Sequence, residues 1–118
     1  MKVKRTAKLN AEYQKAIAEI IRRLKNPLIT EMVSVLRVDT SEDISHAKVY
    51  LSVFSFDEVK RKTTLSEIEK AAGKIRAELG RAVRTRIVPE LHFVLDDSME
   101  YGERMNKLIE QANDSNEK

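Results

Sequence analysis

The sequence predicts an α+β domain with the element order αββααβα, and three observations predict it. Near the start, Leu9, Tyr13, Ala16, Ile17, Ile20 and Leu24 recur at helical spacing. Two runs rich in β-branched residues then flank the polar stretch Thr40–Asp43. Finally, an Ala-rich helical segment interrupted by Gly73 leads through Pro89 into a third alternating run. A chain of 118 residues suits one domain, and 42% hydrophobic residues are enough for a small core. With no Trp, three Tyr and three Phe, that core must be mainly aliphatic.

Taken in order, residues 5–25 read as an amphipathic helix. Glu12 with Lys15, and Glu19 with Arg22 and Arg23, fall three or four residues apart on its exposed side. Asn26-Pro27 ends it, because the residue before Pro is pushed out of the helical region. Val33 to Asp39 forms a strand. Ala47, Val49, Leu51 and Val53 alternate with Lys48, Tyr50 and Ser52 in a second, half-buried one. The polar segment between them turns the chain, giving an antiparallel hairpin. Residues 57–64, "DEVKRKTT", read as a charged loop. Thr64 or Ser66 then caps a short helix from near Leu65 to the break at Gly73. A second helix runs from about Lys74 to Arg84. Leu91, Phe93 and Leu95 mark a third strand, with Pro89 at its start, where no ladder donor is needed. Asp97 or Ser98 caps a last helix carrying Met105, Leu108, Ile109 and Ala112 at helical spacing. The domain is expected over residues 1–112, with residues 113–118 as a polar tail.

Composition removes several function classes. Without cysteine there is no disulfide framework and no Cys-based metal site. No apolar run approaches membrane-spanning length, and the first residues lack the apolar core of a signal peptide. The net charge of +3 is unevenly spread. Residues 1–25 carry a net +6 and residues 74–88 a net +4, whereas the segments after each are net acidic. Two cationic segments in an otherwise acidic chain point to a polyanionic partner.

The second cationic segment has a shape as well as a charge. At about 100° per residue, Ile75, Leu79, Ala82 and Val83 gather on one side of the helix, and Lys74, Ala77, Arg81 and Arg84 on the other. A break before the helix exposes its first N–H groups, which attract phosphate. Together these suit a clamp on a phosphate backbone. The same pattern also suits a plain solvated helix face.

A kinked helix pair between a hairpin and a third strand resembles the type II, bacterial arrangement of the KH RNA-binding domain. KH domains place a GxxG loop at the break, where this chain has Ala71-Ala72-Gly73. With that departure, "NPLITEMVSVLRVDTSEDISHAKVYLSVF" and "RTRIVPELHFVLDDSMEYGERM" resemble the ribosome-binding factor A family over roughly residues 5–111. The resemblance implies a single KH-like α+β domain with an αββααβ core and a C-terminal helix on a three-stranded sheet. It also implies a non-enzymatic factor that binds the immature 30S small ribosomal subunit and assists late maturation of 16S rRNA, including its 5′ end. Members are linked to growth in the cold. The implied setting is cytoplasmic, as a monomer without cofactor or membrane, beside ribosomal proteins and other assembly factors. Ala71 and Gly73 carry over as helix-kink motif positions. From charge and helix geometry, the residues assigned to RNA are Arg5, Lys8, Arg22, Arg23 and Lys25 in the first segment. In the second they are Lys74, Arg76, Arg81, Arg84 and Arg86. Without a GxxG loop and with few aromatics, recognition by charge and shape is expected over sequence-specific reading of single strands. Tyr50, Tyr101 and His46 are the residues available for stacking, and each also suits packing or a strand face.

Catalytic signatures are scarce. No phosphate-binding Gly-rich motif or nucleophile elbow occurs. His46 and His92 are not at metal-ligand spacing and read as ordinary strand positions, so no metal site is expected. Asp96, Asp97, Glu100 and Glu103 form an acidic cluster that suits a strand end and helix cap. The rival reading makes that cluster the Mg²⁺ site of a metal-dependent ribonuclease acting on precursor rRNA.

Overall fold

The computed structural model describes residues 6–96. The expected last helix, its caps Asp97 and Ser98, the polar tail, Tyr101 and Arg5 lie outside these residues. The described elements are α1 (Ala7–Arg22), β1 (Val33–Thr40), β2 (His46–Val53), α2 (Glu58–Lys70), α3 (Ala72–Ala82) and β3 (Glu90–Leu95). The sheet order is β1-β2-β3, with β2 antiparallel to β1 and parallel to β3. One face of the sheet carries the helices. Tyr13, Ile17, Ile20 and Ile21 of α1, Ile68 of α2, and Ile75 and Leu79 of α3 bury against it. They meet Val35, Val38, Ala47, Val49, Leu51, Leu91 and Phe93. The helical and alternating apolar patterns thus become one core, and burial of these side chains is its main stabilising term.

Polar side chains fix the places where the ladders are irregular. The β1–β2 register shifts between Val35 and Arg37, a bulge at Leu36. Gln14 Nε2 donates to the carbonyls of Val35 and Leu36 at 3.1 and 3.2 Å, satisfying acceptors at the bulge. Asn10 Oδ1 accepts from the Thr40 N–H at 3.0 Å and ties α1 to the end of β1. In the hairpin turn, Asp43 Oδ1 accepts from Ser41 Oγ (2.8 Å), Ser45 Oγ (2.6 Å) and the Ser45 N–H (3.1 Å). These bonds favour the carboxylate and lower the Asp43 pKa from 3.8 to about 2. Ile44 beside it sits at φ 61°, a left-handed conformation that a β-branched residue adopts only under strain.

Two expectations are corrected around α2. "DEVKRKTT" is not a loop but the cap and first turns of α2. Asp57 is its N-cap, accepting from the N–H groups of Val59 and Lys60 at 2.9 and 3.3 Å. Thr64 is no cap: it is buried within the helix, and its hydroxyl donates back to the Lys60 carbonyl at 2.8 Å. The break between α2 and α3 falls at Ala71 (φ −88°, ψ 4°), not at Gly73, which lies inside α3. The kink therefore needs no positive φ. Gly80 is the tighter of the two described glycines: a Cβ there would lie 3.0 Å from Val88 Cγ2, in the loop that leads to β3, so that side chain would have to shift by a few tenths of an ångström.

Candidate nucleic-acid interface

The two cationic segments meet where α1 packs on α3. Thr85 Oγ1 donates to the Ile87 carbonyl at 2.9 Å, which commits its one proton. The Tyr13 hydroxyl, 3.2 Å away, is therefore the donor of the Tyr13–Thr85 pair that joins α1 to the loop after α3. Over this seam lies a groove of about 530 Å³, lined by Glu12, Lys15, Ala16 and Glu19, with Arg23, Ala82, Val83 and Arg84. Arg23 and Arg84, 61 positions apart in the chain, thus line one groove.

The remaining assigned residues divide into three groups. Lys74 and Arg81 are exposed on the same face of α3, about 10 Å apart along its axis. Arg84 does not continue that stripe. α3 ends at Ala82 and Val83 is extended, at φ −122° and ψ 115°, which carries Arg84 off the helix and into the groove. Arg86 is exposed in the following loop, and Lys8 and Lys25 are exposed near the two ends of α1. Two residues face other work. Arg76 donates through Nε (3.2 Å) and Nη2 (2.8 Å) to the Val88 carbonyl, holding the loop before β3. Arg22 pairs with Glu19 at 3.8 Å and lines a different groove of about 540 Å³, with Ile21, Met32 and Phe54. Lys15 belongs to the first groove although it was not assigned to it. Its spacing of eight from Arg23 is the signal, obscured by Glu12 in the i−3 position.

Electrostatically the α3 side is open. The side chains of Lys74, Arg81, Arg84 and Arg86 form no ion pair or hydrogen bond with another described residue. No side chain caps the N-terminus of α3. A Cβ at Gly73 would meet nothing within 4 Å, so the chain's own packing does not require glycine there. What Gly73 provides is clearance beside the uncapped helix end and Lys74. Glu12 and Glu19 temper the groove on the α1 side.

Of the other residues weighed for chemistry, those that are described, Tyr50, His46, His92 and Asp96, belong to or adjoin strands β2 and β3. Asp96 is engaged by Arg37 at 3.5 Å, and Asp97, Glu100 and Glu103 lie outside the described residues. The Arg37 guanidinium also lies 3.9 Å above the Tyr50 ring, so Tyr50 serves a strand-face contact. His46 and His92 are strand residues, as expected. The parallel register brings their ring nitrogens to 3.0 Å, a proximity that spacing along the chain did not reveal. Among the described residues no helix is long and apolar enough to cross a membrane.

Comparison with known proteins matches residues 5–109 to the family described as ribosome-binding factor A. Ribosome-binding factor A of Caldicellulosiruptor bescii is 40% identical over 115 residues, which are 96% of this chain and 87% of that protein. The crystal structure of ribosome-binding factor A from Thermus thermophilus is similar at TM-score 0.68 and 32% identity. The match covers 76% of this chain and 93% of that one. A Thermus thermophilus ribosome-binding factor A homology model fitted into the cryo-EM map of its 30S complex is similar at TM-score 0.65 and 32% identity. There the coverage is 78% and 96%.

Proposed function

The chain belongs to the ribosome-binding factor A family, and from that premise we propose that it is an assembly factor of the small ribosomal subunit. It binds the immature 30S particle in the cytoplasm and assists late maturation of 16S rRNA, including the 5′ end, in a way that matters most for growth in the cold. It acts by binding, as a monomer, without a catalytic step or cofactor. The family match over residues 5–109 supports one domain over residues 1–112. The 30S complex described for the Thermus thermophilus relative supports the choice of partner.

One observation carries the reading. Lys15, Arg23 and Arg84 converge across the α1–α3 seam, and Arg81 and Lys74 continue the charge along α3 to an uncapped helix end. Exposed cations without carboxylate partners are available to replace the counterions of a phosphate backbone. The open space at Gly73 allows that backbone to approach. The site rewards charge and shape, which suits folded rRNA.

The test is co-sedimentation of the full chain with immature small subunits at graded salt, beside incubation with precursor rRNA and Mg²⁺. Binding that weakens steeply with salt, with intact rRNA, supports the assembly-factor reading. Cleavage of the precursor by the purified chain would replace it with the nuclease reading.

A further inference from the structure

We propose that His46, Glu90 and His92 form a surface binding site for a late first-row divalent metal ion, Zn²⁺ foremost. The three residues belong to neighbouring strands. In the parallel β2–β3 pair, His46 stands opposite Glu90 and Lys48 opposite His92. Side chains two apart on a strand share a face. All three therefore project from the solvent side of the sheet, away from the helices and the α1–α3 groove.

The geometry is that of a chelate. His46 Nδ1 lies 3.0 Å from His92 Nε2 and 3.7 Å from Glu90 Oε2, and one ligand atom from each residue falls within 4.8 Å of the others. Two imidazole nitrogens bound at about 2.0–2.1 Å to a tetrahedral ion stand roughly 3.3 Å apart. The imidazole pair needs to open by only a few tenths of an ångström. The carboxylate closes in by a rotamer change, which its 63% exposure permits. Without metal, one facing nitrogen must carry a proton and the other accept it. A metal ion takes the place of that proton, and each nitrogen then offers a lone pair.

The donor set selects the ion. Two imidazoles and one carboxylate suit Zn²⁺, Ni²⁺ or Cu²⁺ better than Mg²⁺ or Ca²⁺, which prefer all-oxygen shells. Exposure of all three residues leaves the remaining coordination position to water. Lys48, the neighbour of His92, opposes a cation here. Glu90 in the ligand set, with Asp39 opposite Lys48 on β1, offsets it. A bound ion would join β2 to β3 on the sheet face opposite α1, α2 and α3.

The test uses the untagged full chain, stripped of metal by a chelator and titrated with ZnCl₂ in a calorimeter, while NMR follows the two imidazole rings. The expected result is saturable binding of one Zn²⁺ per chain, with both rings shifting together. His46→Ala and His92→Ala should each weaken it at least about 10-fold, and Glu90→Gln by less. Zn²⁺ should also raise the melting temperature of the wild type but not of the doubly substituted His46→Ala/His92→Ala chain. Equal zinc affinity in wild type and that double variant would overturn the proposal, because it would place the ion on carboxylates elsewhere. Imidazole signals that ignore Zn²⁺ would do the same.

Discussion

α2 and α3 are consecutive helices with similar numbers of cations and opposite electrostatic outcomes. α2 carries Lys60, Arg61, Lys62 and Lys70; α3 carries Lys74, Arg76 and Arg81. On α2 each lysine has a carboxylate partner: Lys60 with Glu31 at 3.8 Å, Lys62 with Glu58 at 3.4 Å, and Lys70 with Glu67 at 2.9 Å. On α3, Lys74 and Arg81 have none among the described residues, and the neighbouring Arg84 and Arg86 have none either. The count of basic residues therefore does not mark the nucleic-acid surface. The nucleic-acid surface proposed above rests instead on positive charge that the described residues leave unpaired, arranged so that a second cationic segment meets it.

The largest effect that would sharpen this contrast comes from reversing charge at the α1–α3 seam. Arg23→Glu with Arg84→Glu should weaken small-subunit binding by roughly 100-fold at moderate salt, since like charges facing phosphate cost several kcal/mol. Co-sedimentation or filter binding reads it. Little change would remove the groove from the interface. Arg76 lies on the same helix but is spent on the Val88 carbonyl, so its effect should appear in stability. Arg76→Ala should cost about 1 kcal/mol in denaturant unfolding, through the lost hydrogen bonds. A variant that unfolds like the wild type but binds poorly would return Arg76 to the RNA surface.

Two smaller effects concern the hairpin, which the contrast places outside the interface. Ile44→Asn should raise stability by about 1 kcal/mol, because Asn tolerates the left-handed conformation that strains Ile. Thermal melts read it, and rRNA affinity should not move. Asp43 has a depressed folded-state pKa, so its contribution is present above the ordinary value of 3.8 and is lost as pH falls toward about 2. Asp43→Asn should flatten the dependence of unfolding on pH within that window. An unchanged acid limb would mean that the serine contacts do not hold the carboxylate.

Much of this was legible in the sequence, for identifiable reasons. α1, β2 and β3 were legible because their apolar residues keep periods of 3.6 or 2, and β1 because it is rich in β-branched residues, although the bulge at Leu36 breaks its alternation. The start of α2 was not, because "DEVKRK" has almost no apolar stripe, although its cap, Asp57, was there to read. The two cationic segments were legible as charge. Their meeting was not, since it depends on α1 packing against α3 and on the chain leaving α3 at Val83. Arg22 already stood three residues from Glu19 in the sequence, whereas Arg76 looked like any other basic residue until its partner, the Val88 carbonyl, was in place. The bulge at Leu36 and the approach of His46 to His92 come from strand register, which pairs residues far apart in the chain.

The most direct test of the central claim compares salt dependence for two matched triple variants. One neutralises the uncompensated set, with Lys74, Arg81 and Arg84 each changed to Gln. The other neutralises the paired set on α2, with Lys60, Lys62 and Lys70 each changed to Gln. Surface charges of either kind add little to folding stability, so both chains should melt close to the wild type. Affinity for immature small subunits or their rRNA is then measured at several salt concentrations. The log–log slope should fall by about 2–3 for the α3 set, as phosphate contacts are lost, and by less than about 1 for the α2 set. Equal slopes for the α3 variant and wild type, or a larger fall for the α2 variant, would contradict the account.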